Sequence, residues 1–114
     1  MQNLFYKNKK ILITGGLGFI GSNLAIQLVK DSAEVFLIDA LIPEYGGNIF
    51  NIKPIEGKLK WVKGDIRDKK KVDRLVRDKN IIFNLAGTLS HVDSMTDPMT
   101  DLEINCRAQL SLLE

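Results

Sequence analysis

Four glycines, Gly15, Gly16, Gly18 and Gly21, follow the apolar run Ile11-Leu12-Ile13 and fit both G-x-x-G-x-x-G and G-x-G-x-x-G. Glycines at this spacing break no bonds; they let backbone approach a charged group. One reverses the chain, one admits a pyrophosphate where a Cβ would stand, and one lets a helix pack closely on a strand. The first-turn N–H groups of that helix then face the anion. No Asp or Glu occurs from Met1 to Lys30, so no nearby carboxylate in the sequence competes for the helix's positive end. A dinucleotide also needs an acid at the end of the next strand, about 20 residues on, to hold the adenosine ribose hydroxyls. Asp39, closing Glu34-Val35-Phe36-Leu37-Ile38-Asp39, supplies it. A glycine turn serving only as a turn does not require that second strand and acid.

Other chemistry-bearing residues give weaker patterns. Ser90, His91, Asp93 and Ser94 invite a hydrolase reading, but triad members converge from distant segments, and residues packed this tightly cannot all meet at one point. A solvated or substrate-facing loop is the expectation there. His91, the only histidine, forms no metal cluster alone. The single cysteine, Cys106, excludes an internal disulfide framework, agrees with a reducing cytoplasm, and sits among apolar helical positions where burial is expected.

The elements that must position these residues can be read in order. Ile11 to Ile13 suit a strand buried on both faces, and the spacing Ile20, Leu24, Leu28 predicts an amphipathic helix after the glycines. Beyond Asp39, Pro43, Gly46 and Gly47 mark residues 40–52 as an irregular loop. Leu59 to Lys63 is a third strand anchored by Trp61, and Asp68 an N-cap before a helix with the stripe Val72, Leu75, Val76. Asn80 to Ala86 is a fourth strand. Asp97 as N-cap and Pro98 as first helical residue open a last helix with two apolar strips. One is Met99, Leu102, Cys106, Leu110 and Leu113; the other is Ile104, Ala108 and Leu112, the strip expected to lack a partner within the chain. The alternation predicts an α/β fold, a Rossmann-type doubly wound parallel sheet truncated to the strand order 3-2-1-4.

Together T-G-G-L-G-F-I-G-S-N-L, Asp39, G-D-I-R-D (Gly64 to Asp68), N-L-A-G (Asn84 to Gly87) and D-P-x-x-D-x-x-x-N ending in L-L-E resemble the N-terminal part of the extended short-chain dehydrogenase/reductase family. The likeness is to NAD-dependent nucleotide-sugar epimerases and dehydratases, of which UDP-glucose 4-epimerase is the familiar member. It implies that Gly15, Gly18, Phe19, Ile20 and Gly21 bind NAD with Asp39. It also implies that Asp65 accepts from the adenine amino group, that Ile66 packs on the ring, and that Leu85, Ala86 and Gly87 flank the nicotinamide ribose and pyrophosphate. The family more often has a second alanine at the position of Gly87. Asn105 would support the active site from behind, and the last helix, through the strip Ile104, Ala108 and Leu112, would help build a homodimer.

The family's catalytic tyrosine and lysine stand four apart on a later helix, with the tyrosine as general acid/base. Tyr6 and Lys10 show that spacing, but Lys10 enters the first strand and the pair is rejected. Residues 1–114 therefore read as one NAD-binding domain, the N-terminal portion of an enzyme, with the catalytic pair and the nucleotide-sugar domain expected beyond Glu114. Ala40, Leu41 and Ile42 offer no cation for a 2′-phosphate, which favours NAD over NADP.

Composition sets the remaining limits. A chain of 114 residues can form one domain that buries about two-thirds of its unfolded surface. A net charge of +2 with mixed signs gives no field for nucleic acid, and no apolar run is long enough to span a membrane. A soluble cytoplasmic protein is the default. The first reading is a nucleotide-sugar epimerase or dehydratase working by transient hydride transfer; the alternative is a non-catalytic NAD-binding sensor or scaffold.

Overall fold

The computed structural model describes residues 4–41, 47–86 and 98–113. Strands β1 (Lys10–Thr14), β2 (Glu34–Asp39), β3 (Lys60–Lys63) and β4 (Ile81–Asn84) form one sheet in the order β3-β2-β1-β4, every pairing parallel. This is the order expected from the sequence. The register sets Thr14 opposite Ile38 on one side and Asn84 on the other, which brings the carboxyl ends of β1, β2 and β4 to one edge.

Alternation along the strands divides the core in two. Ile11, Ile13, Val35 and Leu37 face one side, where Leu17, Ala25 and Leu28 of the glycine turn and helix α1 (Phe19–Lys30) cover them. Leu12 and Ile38 face the other, joined by Val72 of helix α2 (Lys69–Val76) and by Ile104 and Ala108 of the final helix. Apolar residues on both strand faces demand such a doubly covered sheet. Asp68 caps α2 as expected, its carboxylate accepting from Lys71 N–H at 3.2 Å.

Several expectations need correction. The buried face of α1 begins at Gly21 and includes Ser22, Ala25 and Leu28; Ile20, in the first turn, is 68% exposed. Residues 49–55, read as loop in part, form a 3-10 helix (Ile49–Ile55) whose Ile52 and Ile55 are buried against the α1 side of the sheet. The strand reading for 80–86 is too long. Pairing stops at Asn84: the Leu85 N–H is shared between the Thr14 carbonyl at 3.2 Å and Thr14 Oγ1 at 3.0 Å, and the Ala86 N–H then turns onto Thr14 Oγ1.

The final helix reverses the expected roles of its strips. It runs as α3 (Pro98–Leu102), a π-helical segment (Glu103–Arg107) and α4 (Ala108–Leu113). Ile104 and Ala108 are buried, with Leu112 packed beside them, so the strip expected to be free is the one that covers the sheet. Met99, Leu102, Leu110 and Leu113 are exposed instead. Cys106, expected to be buried, is exposed as well. Two residues from both Ile104 and Ala108, it falls on roughly the opposite side of a helix.

Candidate functional site

The site lies where β1, β2 and β4 end and α1 begins. Gly15 has φ +68°, and a Cβ there would also stand 3.0 Å from Ala86 Cα and N. At Gly16 a Cβ would meet the Leu37 side chain, and at Gly21 it would meet the Gly15 carbonyl oxygen. These three glycines are required by the chain's own packing. Gly18 differs: the nearest atom to a Cβ there is Gly15 O, at an ordinary 3.4 Å. Its lack of a side chain leaves space on the outside of the turn.

Gly18 is also the N-cap of α1, with no side-chain cap and no acid in the first turn. Ser22 N–H makes the first intrahelical bond, to Gly18 O at 2.9 Å. The preceding N–H groups, of Phe19, Ile20 and Gly21, lie in the turn that a helix cannot satisfy internally. The Phe19 and Ile20 side chains are exposed, at 82% and 68%, beside this opening.

Asp39 sits beside the turn. Its Oδ2 accepts from Leu17 N–H at 3.0 Å and its Oδ1 from Leu41 N–H at 2.8 Å. Among the described residues each oxygen carries one such donor, and a carboxylate oxygen can accept a second. A Cβ at Gly47 would stand 2.8 Å from Asp39 Oδ1, so the chain passes closely over the carboxylate.

Asp65 follows β3. Arg67 engages its carboxylate through Nε at 3.0 and 2.9 Å, through Nη2, and through backbone N–H at 2.8 Å. The hydrogen bonds from Arg67 hold the Asp65 carboxyl below the usual carboxylate range, against a smaller opposing effect of burial. Ile66 is 9% exposed in the cluster that contains Val72, so the apolar surface expected to meet a ring lies mostly inside the core.

On the β4 side, Leu85 is 41% exposed and Ala86 half-buried. Gly87, the sequence Ser90, His91, Asp93, Ser94 and the N-cap Asp97 lie outside the described residues. Asn105 falls in the π-helical segment, and its side chain is likewise outside what is described. Tyr6 belongs to a 3-10 turn and lies against Phe83, ring centroids 6.5 Å apart, while Lys10 Nζ pairs with Asp78 at 3.5 Å. These separate engagements agree with rejecting Tyr6 and Lys10 as a catalytic pair.

Sequence reasoning missed Thr14. Wholly buried, its hydroxyl donates to Asn84 Oδ1 at 2.7 Å and accepts from Leu85 and Ala86 N–H, so it fixes the path of β4 beside the glycine turn. A hydroxyl ending an otherwise apolar strand, just before the glycines, was the available signal. It also missed Asn48 and Asn51, whose donors reach Leu17 O.

Among known proteins, the family described as GDP-mannose 4,6 dehydratase matches residues 12–114. CDP-paratose 2-epimerase of Salmonella typhi is 36% identical over 107 residues, covering 92% of this chain and 32% of that protein. An epimerase of Methanothermobacter thermautotrophicus superposes with a TM-score of 0.86 at 34% identity, covering 96% of this chain and 32% of that one. The dTDP-glucose 4,6-dehydratase DesIV of Streptomyces venezuelae, solved with NAD and TYD bound, gives 0.82 at 32% identity, with coverage of 91% and 34%. The chain thus spans about a third of the length of these relatives. With the parallel sheet, the glycine turn and the acid at the end of β2 matched across most of its length, the chain belongs to the GDP-mannose 4,6 dehydratase family.

Proposed function

We propose that the chain is the NAD-binding part of a nucleotide-sugar epimerase or dehydratase. The observation that carries this reading is Gly18, whose Cβ position is open at the uncapped start of α1, with Asp39 beside it at the end of the next strand. Gly15 and Gly21 hold the turn's shape, while Gly18 and the first-turn N–H groups of Phe19, Ile20 and Gly21 receive the pyrophosphate. Asp39 takes the adenosine ribose hydroxyls on its remaining acceptor positions. Asp65 and Ile66 border the adenine, Asp65 reaching its amino group only as Arg67 yields. Leu85, Ala86 and Gly87 line the nicotinamide side, and Asn105 braces the site from the final helix.

When bound, NAD supplies a reversible hydride acceptor for a sugar carbon. The residues of this chain bind and orient it; the general acid/base and the nucleotide-sugar contacts belong to the other two-thirds of the relatives' length. The names of the epimerase and dehydratase relatives support a nucleotide sugar as substrate class. A cytoplasmic setting rests on the lone cysteine, and a homodimer on the exposed strip of the final helix. Among the described residues no helix is long and apolar enough to cross a membrane.

Calorimetric titration of the protein with NAD and with NADP tests the reading. Saturable NAD binding at least about tenfold tighter than NADP is expected from the carboxylate at 39. Absence of NAD binding, or a preference for NADP, overturns it.

A further inference from the structure

We propose that Asn51 is a positioning residue for the glycine turn, holding the Leu17 peptide groups so that the turn presents Gly18 and the first-turn N–H groups of α1 to a pyrophosphate; this rests on the NAD-binding reading above. Leu17, wholly buried, is fixed on one side by the last residue of β2 and on the other by the segment that follows it. Its carbonyl accepts from Asn51 Nδ2 at 2.8 Å and from Asn48 N–H at 3.1 Å. Its N–H donates to Asp39 Oδ2 at 3.0 Å.

Peptide planarity turns these bonds into a constraint on the site. The Leu17 carbonyl shares a plane with Gly18 N–H, which donates to the Gly15 carbonyl at 3.2 Å and closes the turn, and Leu17 N–H shares one with the Gly16 carbonyl. Asn51 and Asn48 therefore orient the peptide leading into Gly18, and Asp39 orients the peptide before it. Gly18 is the glycine whose outward space the chain does not fill. The proposed ribose acceptor and the pyrophosphate turn thus share one hydrogen-bonded frame, with Asn51 as its remote support.

Asn51 is itself well anchored. Ile52 and Ile55 of the same 3-10 helix are buried in the core with Leu17 and Ala25, and Asn48 Oδ1 caps the helix by accepting from Phe50 N–H at 2.9 Å. The Asn51 amide stands 34 residues from its acceptor, so the bond joins two separate segments. A carbonyl acceptor requires the NH2 end of that amide, which fixes its orientation.

The test uses ligands of increasing length on the unsubstituted protein, Asn51→Leu and Asn51→Asp. Leucine keeps the volume without the donor, and an aspartate carboxylate faces the Leu17 carbonyl with no donor at neutral pH. Adenosine lacks phosphate, ADP has the pyrophosphate, and NAD has both nucleotides. Both variants are expected to bind ADP and NAD about tenfold more weakly, the effect of losing one aligning hydrogen bond, and adenosine within about twofold of the unsubstituted protein. Amide exchange at Gly18 in the unliganded Asn51→Leu protein is expected to rise, a readout independent of affinity.

Unchanged ADP and NAD affinity, an equal loss for all three ligands, or unchanged Gly18 exchange overturns the role of Asn51. Failure of the unsubstituted protein to bind ADP or NAD overturns the NAD reading, and with it this proposal. The two failures are distinguished by which protein shows them.

Discussion

Thr14 Oγ1 and Asn84 Oδ1 are 2.7 Å apart, a bond that ties the last residue of β1 to the last residue of β4 at the mouth of the glycine turn. The same hydroxyl accepts from Leu85 N–H at 3.0 Å and Ala86 N–H at 3.1 Å, so its one donor and both acceptor positions are used. Thr14→Val keeps the shape and removes all three bonds. We expect a loss of about 1–3 kcal/mol in stability, with Thr14→Ser retaining most of it. Urea unfolding measures the difference, and a Val variant as stable as the parent would show that the hydroxyl is dispensable.

The glycines should separate by substitution. Gly18→Val is expected to leave the melting transition nearly in place while abolishing NAD binding, because the space it fills is outside the chain. Gly21→Val should prevent folding, since even its Cβ would overlap the Gly15 carbonyl oxygen. Circular dichroism melts paired with NAD titration distinguish the two outcomes. A Gly18→Val protein that loses folding and binding together would make Gly18 a packing glycine like the others.

Asp39 combines a charge and two accepted hydrogen bonds, and these should come apart. Asp39→Asn keeps one acceptor but removes the charge that repels a 2′-phosphate, so the preference for NAD over NADP should shrink by about tenfold. Asp39→Ala should also weaken NAD itself and loosen Leu17. Titration with both cofactors reads the ratio; an unaltered ratio in Asp39→Asn would mean that the carboxylate does not set the choice.

How much of this was legible beforehand depended on the range of the interactions. The strand order and Asp39's place beside the glycine turn followed from apolar periodicity and from an acid at a fixed distance, both local features. The Asp68 cap was likewise readable from its immediate neighbours. Asn51 was not, because its acceptor lies 34 residues away and nothing near it in sequence marks the contact. The final helix offered two apolar strips of similar strength. Only the docking of Ile104 and Ala108 against the sheet decides between them, and that is a tertiary fact. The bidentate hold of Arg67 on Asp65 was hidden for a different reason: the pair lies within one motif whose acid had been reserved for a ligand.

That pair carries a pH dependence. Arg67 holds the Asp65 carboxyl below the usual carboxylate range, so its stabilising contribution is present above the unfolded carboxylate value and is lost as pH falls through the lowered folded value. Both side chains are about one-third exposed, which limits the contribution to about 1 kcal/mol or less. Arg67→Ala should move the Asp65 titration upward and flatten the acid side of the stability curve. Carboxyl NMR titration is the direct measurement, and an unmoved Asp65 would remove Arg67 as the cause.

The last prediction concerns association. Among the described residues β4 pairs on one side only, and Ile81–Asn84 contains no lysine or proline to protect its outer edge. The opposite edge strand, β3, carries Lys60 and Lys63. Met99, Leu102, Leu110 and Leu113 add an apolar strip on the final helix, with exposures from 49% to 82%. An apolar helix strip and an unguarded strand edge both favour burial against another copy, the first by removing hydrocarbon from water and the second by adding a strand to the sheet. The 114-residue chain is therefore expected to self-associate at micromolar concentration. Leu110→Glu with Leu113→Lys should shift it toward monomer if the helix dominates, whereas Ile82→Lys should do so if the edge dominates. Sedimentation velocity of the three proteins reads the balance, and a monodisperse, cooperatively melting monomer in the unsubstituted chain would show that neither surface drives association.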